Sequence, residues 1–143
     1  MTRAFSHGPE VLDAWGGLIL SIRERMDRRR YELVAVAAAE RLGSSYCMLA
    51  HGSYLASTFY DEESVVGIVW NRGAADLGET DLAVMGLAEK VAGDALSVTQ
   101  EDVDRLKRLG LSDAEIFEVA FTAAYFNYTN RVAEGLGVEA EPE

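Results

Sequence analysis

The chain has 143 residues, 49% of them apolar, two prolines and a single cysteine, and its net charge at pH 7 is −11. That length suits one domain with one core, and that composition excludes a disordered chain. One cysteine excludes an internal disulfide and fits a reducing cytoplasm, and the acidic balance argues against non-specific binding to nucleic acid. The longest apolar stretch, Leu33 to Ala39, is too short to cross a bilayer, and the N-terminus lacks the basic-then-apolar pattern of a secretion signal. A cytoplasmic protein that is not membrane-bound is therefore expected.

In chain order the elements read as helices, with no convincing strand. Pro9 suits the first position of a helix carrying Val11, Leu12, Trp15, Leu18, Leu20 and Ile22 to about Arg25. Asp27 is placed to cap a second helix over about 28–42, with Leu33, Val34, Val36, Ala37 and Leu42 inward and Gly43 as its stop. The run Ala35, Ala37, Ala38 and Ala39 requires a close-packed neighbour. The preceding arginines, Arg23, Arg25, Arg28, Arg29 and Arg30, alternate with acids and read as a solvated helix junction or a subunit contact rather than an anion site.

A third helix is expected from Ser44–Ser45 to about Phe59, a fourth from Glu62 to Trp70, a loop over 71–78, and a fifth helix from Glu79 or Thr80. Thr99…Asp102 and Ser112…Glu115 are capping boxes, in which side chain and backbone at the helix start satisfy each other. They open a short helix to about Leu109 and a long one to about Leu136. The long helix has apolar residues on more than one stripe, so burial on two sides is expected, one of them by another subunit. Residues 1–8 and 138–143 read as mobile ends of a single domain spanning 1–143.

The third helix start is the most informative segment. Cys47 falls in its first turn, where the partial positive charge of the helix end favours a thiolate, so a thiol pKa below that of free cysteine is expected. His51, four residues on, lies on the same face. A reactive thiol with a proton-transfer group one turn away is the minimum for thiol redox chemistry or nucleophilic catalysis. His7 has no such context and reads as exposed. Asn127, Asn130 and Arg131 read as a helix-to-helix or intersubunit polar network.

The segment Glu32…Ser44-Ser45-Tyr46-Cys47-Met48-Leu49-Ala50-His51-Gly52 resembles the active-site signature of the AhpD-like alkylhydroperoxidases in the carboxymuconolactone decarboxylase family. That signature is a glutamate on one helix, a Cys-x-x-Cys at the start of the next, and a histidine four residues after the second cysteine. Glu32, fifteen residues before Cys47, matches its spacing, and Gly110-Leu111-Ser112-Asp113-Ala114-Glu115-Ile116 with Phe126-Asn127…Asn130-Arg131 resembles the family's ending. The tyrosine before Cys47 is similar to the peroxidase-related subgroup. Ser44 stands where the family has its first cysteine.

The resemblance implies an all-α, AhpD-like helical bundle centred on an antiparallel pair, the Glu32 helix against the Cys47 helix. Ala35, Ala38 and Ala39 opposite Ala50 and Gly52 would permit the close approach. It implies a hydroperoxide reductase in which Cys47 attacks the peroxide, Glu32 and His51 relay protons, Ser44 caps the helix or donates to the sulfur, and Tyr46 lines the entrance. With no second cysteine, the oxidised Cys47 would be released by an external thiol or thiol protein. No cofactor or metal is expected, since Cys47, His51 and Glu32 lack a fourth zinc ligand. A homo-oligomer, trimer or hexamer, is implied. Two other readings stand beside this one: a cofactor-free lyase of the decarboxylase type using His51 and Glu32 as acid and base, and a non-catalytic helical oligomer.

Overall fold

The computed structural model describes residues 7–70 and 77–138. These form seven α-helices: α1 (Pro9–Arg23), α2 (Arg28–Leu42), α3 (Ser45–Thr58), α4 (Glu62–Trp70), α5 (Glu79–Gly93), α6 (Gln100–Arg108) and α7 (Asp113–Gly135). A 3-10 turn, Ala95–Ser97, which the sequence did not signal, joins α5 to α6. No strand occurs among the described residues, so the all-α expectation holds. The expected loop at 71–76 and most of the two expected mobile ends lie outside the described residues. No helix among the described residues is long and apolar enough to cross a membrane.

Local chemistry sets the helix ends. The Asp27 carboxylate accepts the Arg30 backbone N–H at 2.9 Å and opens α2. At its other end Gly43 takes a left-handed φ of 71°, which lets its N–H reach the Glu40 carbonyl while Ser44 N–H reaches the Ala39 carbonyl. Asp61 caps α4 by accepting Ser64 N–H at 2.7 Å. Both predicted capping boxes form, with Thr99 and Asp102 at α6 and Ser112 and Glu115 at α7.

The centre is α2 itself. Every residue from Tyr31 to Ala39 is buried, the condition of a helix covered on all sides, and α5, α3 and α7 do the covering. Removing a fully buried Leu33 or Val36 side chain from water contributes about 1.5–3 kcal/mol each. The helices α2 and α3 do run antiparallel. Glu32 and His51 touch although 19 residues apart, whereas residues so spaced along one continuous helix would stand about 28 Å apart.

The small residues expected to bring α2 and α3 together are placed otherwise on the α3 side. Ala50 is exposed, and a Cβ on Gly52 would meet Val65 and Val69 of α4. Gly52 thus serves the α3–α4 contact, while the alanines of α2 let three helices approach at once. The arginine cluster is a helix junction: Arg25 pairs with Glu118 and Arg30 with Glu115, both on α7, and Arg29 pairs with Asp81 of α5. Arg29 also donates to the Tyr60 hydroxyl at 2.7 Å.

Candidate active site

Glu32 sits in the second turn of α2 with no exposed surface. A carboxylate loses its hydration there, and N–H donors must replace the water. Two do so. His51 Nδ1 is 2.5 Å from Oε2, and Arg28 Nη2, one turn back on α2, is 2.6 Å from Oε1. Because an ionised carboxylate only accepts, the short contact assigns the proton to Nδ1 and leaves Nε2 as the open nitrogen of the neutral imidazole.

Aromatic rings hold both partners of Glu32. The Arg28 guanidinium lies 4.3 Å from the centre of the Tyr54 ring and 5.4 Å from that of Tyr31, within cation–π range. The His51 ring meets Phe126 of α7 edge-on at 4.8 Å and Tyr31 at 6.3 Å. Its side chain keeps 20% of its surface in solvent, against none for Glu32. His51 is therefore the face of the pair that an incoming molecule meets.

Cys47 occupies the first turn of α3, as the sequence indicates, and His51 follows one turn later on the same helix. The thiol is almost wholly buried, at 3% exposure, and this overturns the expected acidity. Burial pushes the Cys47 thiol up from its ordinary value; the Ser44 hydroxyl partly offsets this and the Glu134 carboxylate adds to it. Loss of hydration of the anion is the largest cause. The resting group is thus a thiol, and it needs a base.

Ser44 stands at the N-cap of α3, but its hydroxyl makes no cap bond. It donates instead to Glu134 Oε1 of α7 at 2.8 Å, Ser44 being fully buried and Glu134 exposed. The expectation of a side-chain cap is corrected accordingly, and the serine is a tie between α3 and α7. Tyr46 is half-buried, and no hydrogen bond or ring contact among the described residues joins it to Glu32 or His51.

Several residues of this region escaped the sequence reading. Arg28 was legible in principle as an i, i+4 partner of Glu32, whereas Tyr54, Phe126 and Glu134 reach the site only through tertiary packing. Asn127 donates to the Ala92 carbonyl and accepts from Arg131, the expected tie between helices. Asn130, expected in the same network, is fully buried with neither amide atom hydrogen-bonded. Such unsatisfied interior groups cost about 1–3 kcal/mol each.

A cavity of about 440 Å³ lies between α3 and α4 and is lined by Met48, Gly52, Ala56, Val65, Val69 and Trp70 among others; Cys47, His51 and Glu32 are not part of it. Among the described residues no three His, Cys, Asp or Glu side chains converge as metal ligands.

No protein-family model and no curated protein matches the sequence. Solved structures do. An uncharacterized peroxidase-related protein from Silicibacter sp. TM1040 superposes with a TM-score of 0.90 at 22% identity, over 97% of this chain and 74% of that one. A second uncharacterized peroxidase-related protein, the alkylhydroperoxidase AhpD core from Ralstonia eutropha JMP134, gives 0.88 at 22% identity, over 96% and 74%. A debrominase, solved also as a cysteine-to-alanine variant with 2,3,4-tribromopyrrole, gives 0.84 at 19% identity, over 96% and 74%. These likenesses establish the fold as AhpD-like.

Proposed function

We propose that the protein is a single-cysteine, thiol-dependent hydroperoxide reductase with Cys47 as its nucleophile. The observation that carries this reading is the 2.5 Å contact between Glu32 and His51, one turn from Cys47 on the same helix. His51 Nε2 takes the thiol proton. The thiolate attacks the terminal oxygen of the hydroperoxide, the O–O bond breaks as the S–O bond forms, and the leaving alkoxide collects the proton from His51. Sulfur is oxidised and the peroxide reduced by the same electron pair.

The resulting sulfenic acid condenses with an external thiol, releasing water, and a second thiol frees Cys47 from the mixed disulfide. Ser44 supplies no second sulfur, so the reductant must come from outside the chain. We extend the proposal to self-association with further copies of this chain, as a trimer or a hexamer. Phe117, Phe121 and Tyr128 form an exposed row along α7, and Trp70 is 68% exposed, more apolar surface than a monomer ordinarily leaves to water. Cytoplasmic residence belongs to the same reading, because a lone thiol cycling through sulfenic acid depends on a reducing pool.

Burial of Cys47 and its raised pKa favour one competing reading, acid–base catalysis of a lyase type by His51 and Glu32 without the thiol. Replacement of Cys47 by serine separates the two. Hydroperoxide turnover with added thiol must vanish under the first reading, and lyase chemistry must survive under the second. Because a debrominase shares the fold, a brominated pyrrole belongs in the same substrate panel.

A further inference from the structure

Asn130 has no exposed surface, and neither its Nδ2 nor its Oδ1 has a hydrogen-bond partner. Buried amides are ordinarily satisfied at both ends, so one open at both is a place for a third group. Its neighbours along α7 fix what it faces. One turn before it, Phe126 packs on His51 with ring centres 4.8 Å apart. One turn after it, Glu134 accepts the Ser44 hydroxyl at 2.8 Å. On α3, Cys47 lies between Ser44 and His51, just as Asn130 lies between Phe126 and Glu134 on α7. The outer pairs touch, so the helix register places the inner pair, Asn130 and Cys47, along the same stretch between α3 and α7. No hydrogen bond joins them, and the amide keeps its donor and its acceptor for something else.

A hydroperoxide has the complementary pattern, one O–H to donate and oxygens to accept. We propose that Asn130 is a substrate-binding residue of the Cys47 site and that its amide reads the –O–O–H group. This rests on the hydroperoxide reading above. Oδ1 accepts the O–H of the terminal oxygen, which Cys47 attacks. Nδ2–H donates to the inner oxygen, where negative charge develops as the O–O bond breaks and before His51 protonates the leaving alkoxide. A donor fixed in a dry site acts on that charge without reorganising. The arrangement selects hydroperoxides over electrophiles that offer sulfur no hydrogen-bonding group, and it gives a buried, unsatisfied amide a use.

The test compares two reactions of Cys47 in the parent and in Asn130→Leu: oxidation by tert-butyl hydroperoxide, read as intact mass after dimedone trapping, and methylation by methyl iodide, which makes no hydrogen bonds. Oxidation should fall about 100-fold, methylation should be unchanged, and the thermal midpoint should not drop, because leucine removes an unsatisfied polar group. Equal oxidation in parent and variant overturns the assignment and leaves the reductase reading intact. A joint loss of both reactions and of thermal stability also overturns it, since that is the signature of a structural residue. A parent whose Cys47 ignores hydroperoxide defeats the reductase reading itself, without recourse to the variant. If Asn130→Leu does not fold, the side-chain amide resonance of Asn130 in Cys47→Ser protein should shift on titration with tert-butyl hydroperoxide, and an unmoved resonance overturns the proposal.

Discussion

The Arg28 guanidinium stands 2.6 Å from the buried Glu32 carboxylate, on the oxygen that His51 does not use. One carboxylate thus serves two partners, and their roles differ. Arg28 is permanently charged, while His51 keeps Nε2 open to a reacting group.

Removing either partner should therefore give distinct results. His51→Asn should slow Cys47 oxidation by about 100-fold through loss of the base, with a modest effect on folding. Arg28→Met should destabilise the fold by about 1–3 kcal/mol, less than for a fully buried pair because the guanidinium is 29% exposed. Arg28→Lys should recover part of the stability, since it restores the charge without the fork. Chemical denaturation paired with stopped-flow oxidation measures both effects.

The missing second sulfur gives another test. Ser44 is fully buried beside the first turn of α3, three residues before Cys47. Ser44→Cys creates the Cys-x-x-Cys spacing at a helix start, a geometry that closes readily into a disulfide. Under hydroperoxide the variant should lose two hydrogens and gain no oxygen by intact mass, whereas the parent should gain one oxygen or form a mixed disulfide with added thiol. The variant also forfeits the Ser44 bond to Glu134, so a lower thermal midpoint in its reduced form is expected.

The raised pKa of Cys47 has a definite sign in a pH experiment. Below that pKa the thiolate fraction climbs about tenfold per pH unit, so methylation of Cys47 should rise steadily from pH 7 and level off above the midpoint of free cysteine. In His51→Asn the profile for methylation should keep that shape, because burial, not the imidazole, sets the resting thiol. A midpoint below that of free cysteine would show the helix end winning over burial.

Stability should fall at both ends of the pH scale. Lys90 and the Thr99 backbone hold Asp102 down to about 2, and the Ser112 backbone and hydroxyl with Arg30 hold Glu115 down to about 2. Both carboxylates stabilise the fold above their unfolded values, 3.8 and 4.5, and that contribution is lost as pH falls toward 2. Burial raises the phenols of Tyr31 and Tyr125 above 10.0. Their contribution is complete below pH 10 and is lost as pH rises beyond it. Circular dichroism melts across the pH range should show both flanks, and Ser112→Ala should cost about 1 kcal/mol through loss of the cap.

Helix positions were legible in the sequence because their ends carry local chemistry. Asp27, Gly43, Thr99 and Ser112 each act within one turn, and periodicity supplied the rest. The Glu32, Cys47 and His51 spacing was legible too, but only as a pattern. What the sequence concealed is environment. Burial raises the pKa of Cys47, whereas helix-end charge, the only local cue, points the other way. Ser44 follows the same rule: a serine before a helix reads as a cap, yet Glu134, ninety residues away, accepts its hydrogen bond. Gly52 was assigned to the wrong neighbour because a small residue announces a close approach without saying by which helix.

The central claim, that Cys47 is a nucleophile toward hydroperoxides served by the Glu32–His51 pair, is tested most directly by intact-mass analysis of the parent and of His51→Asn after brief exposure to tert-butyl hydroperoxide. The account predicts a single added oxygen, abolished in Cys47→Ser, removed by added thiol, and about 100-fold slower in His51→Asn. An oxidation rate no greater than that of free cysteine, or one that His51→Asn leaves unchanged, would contradict it.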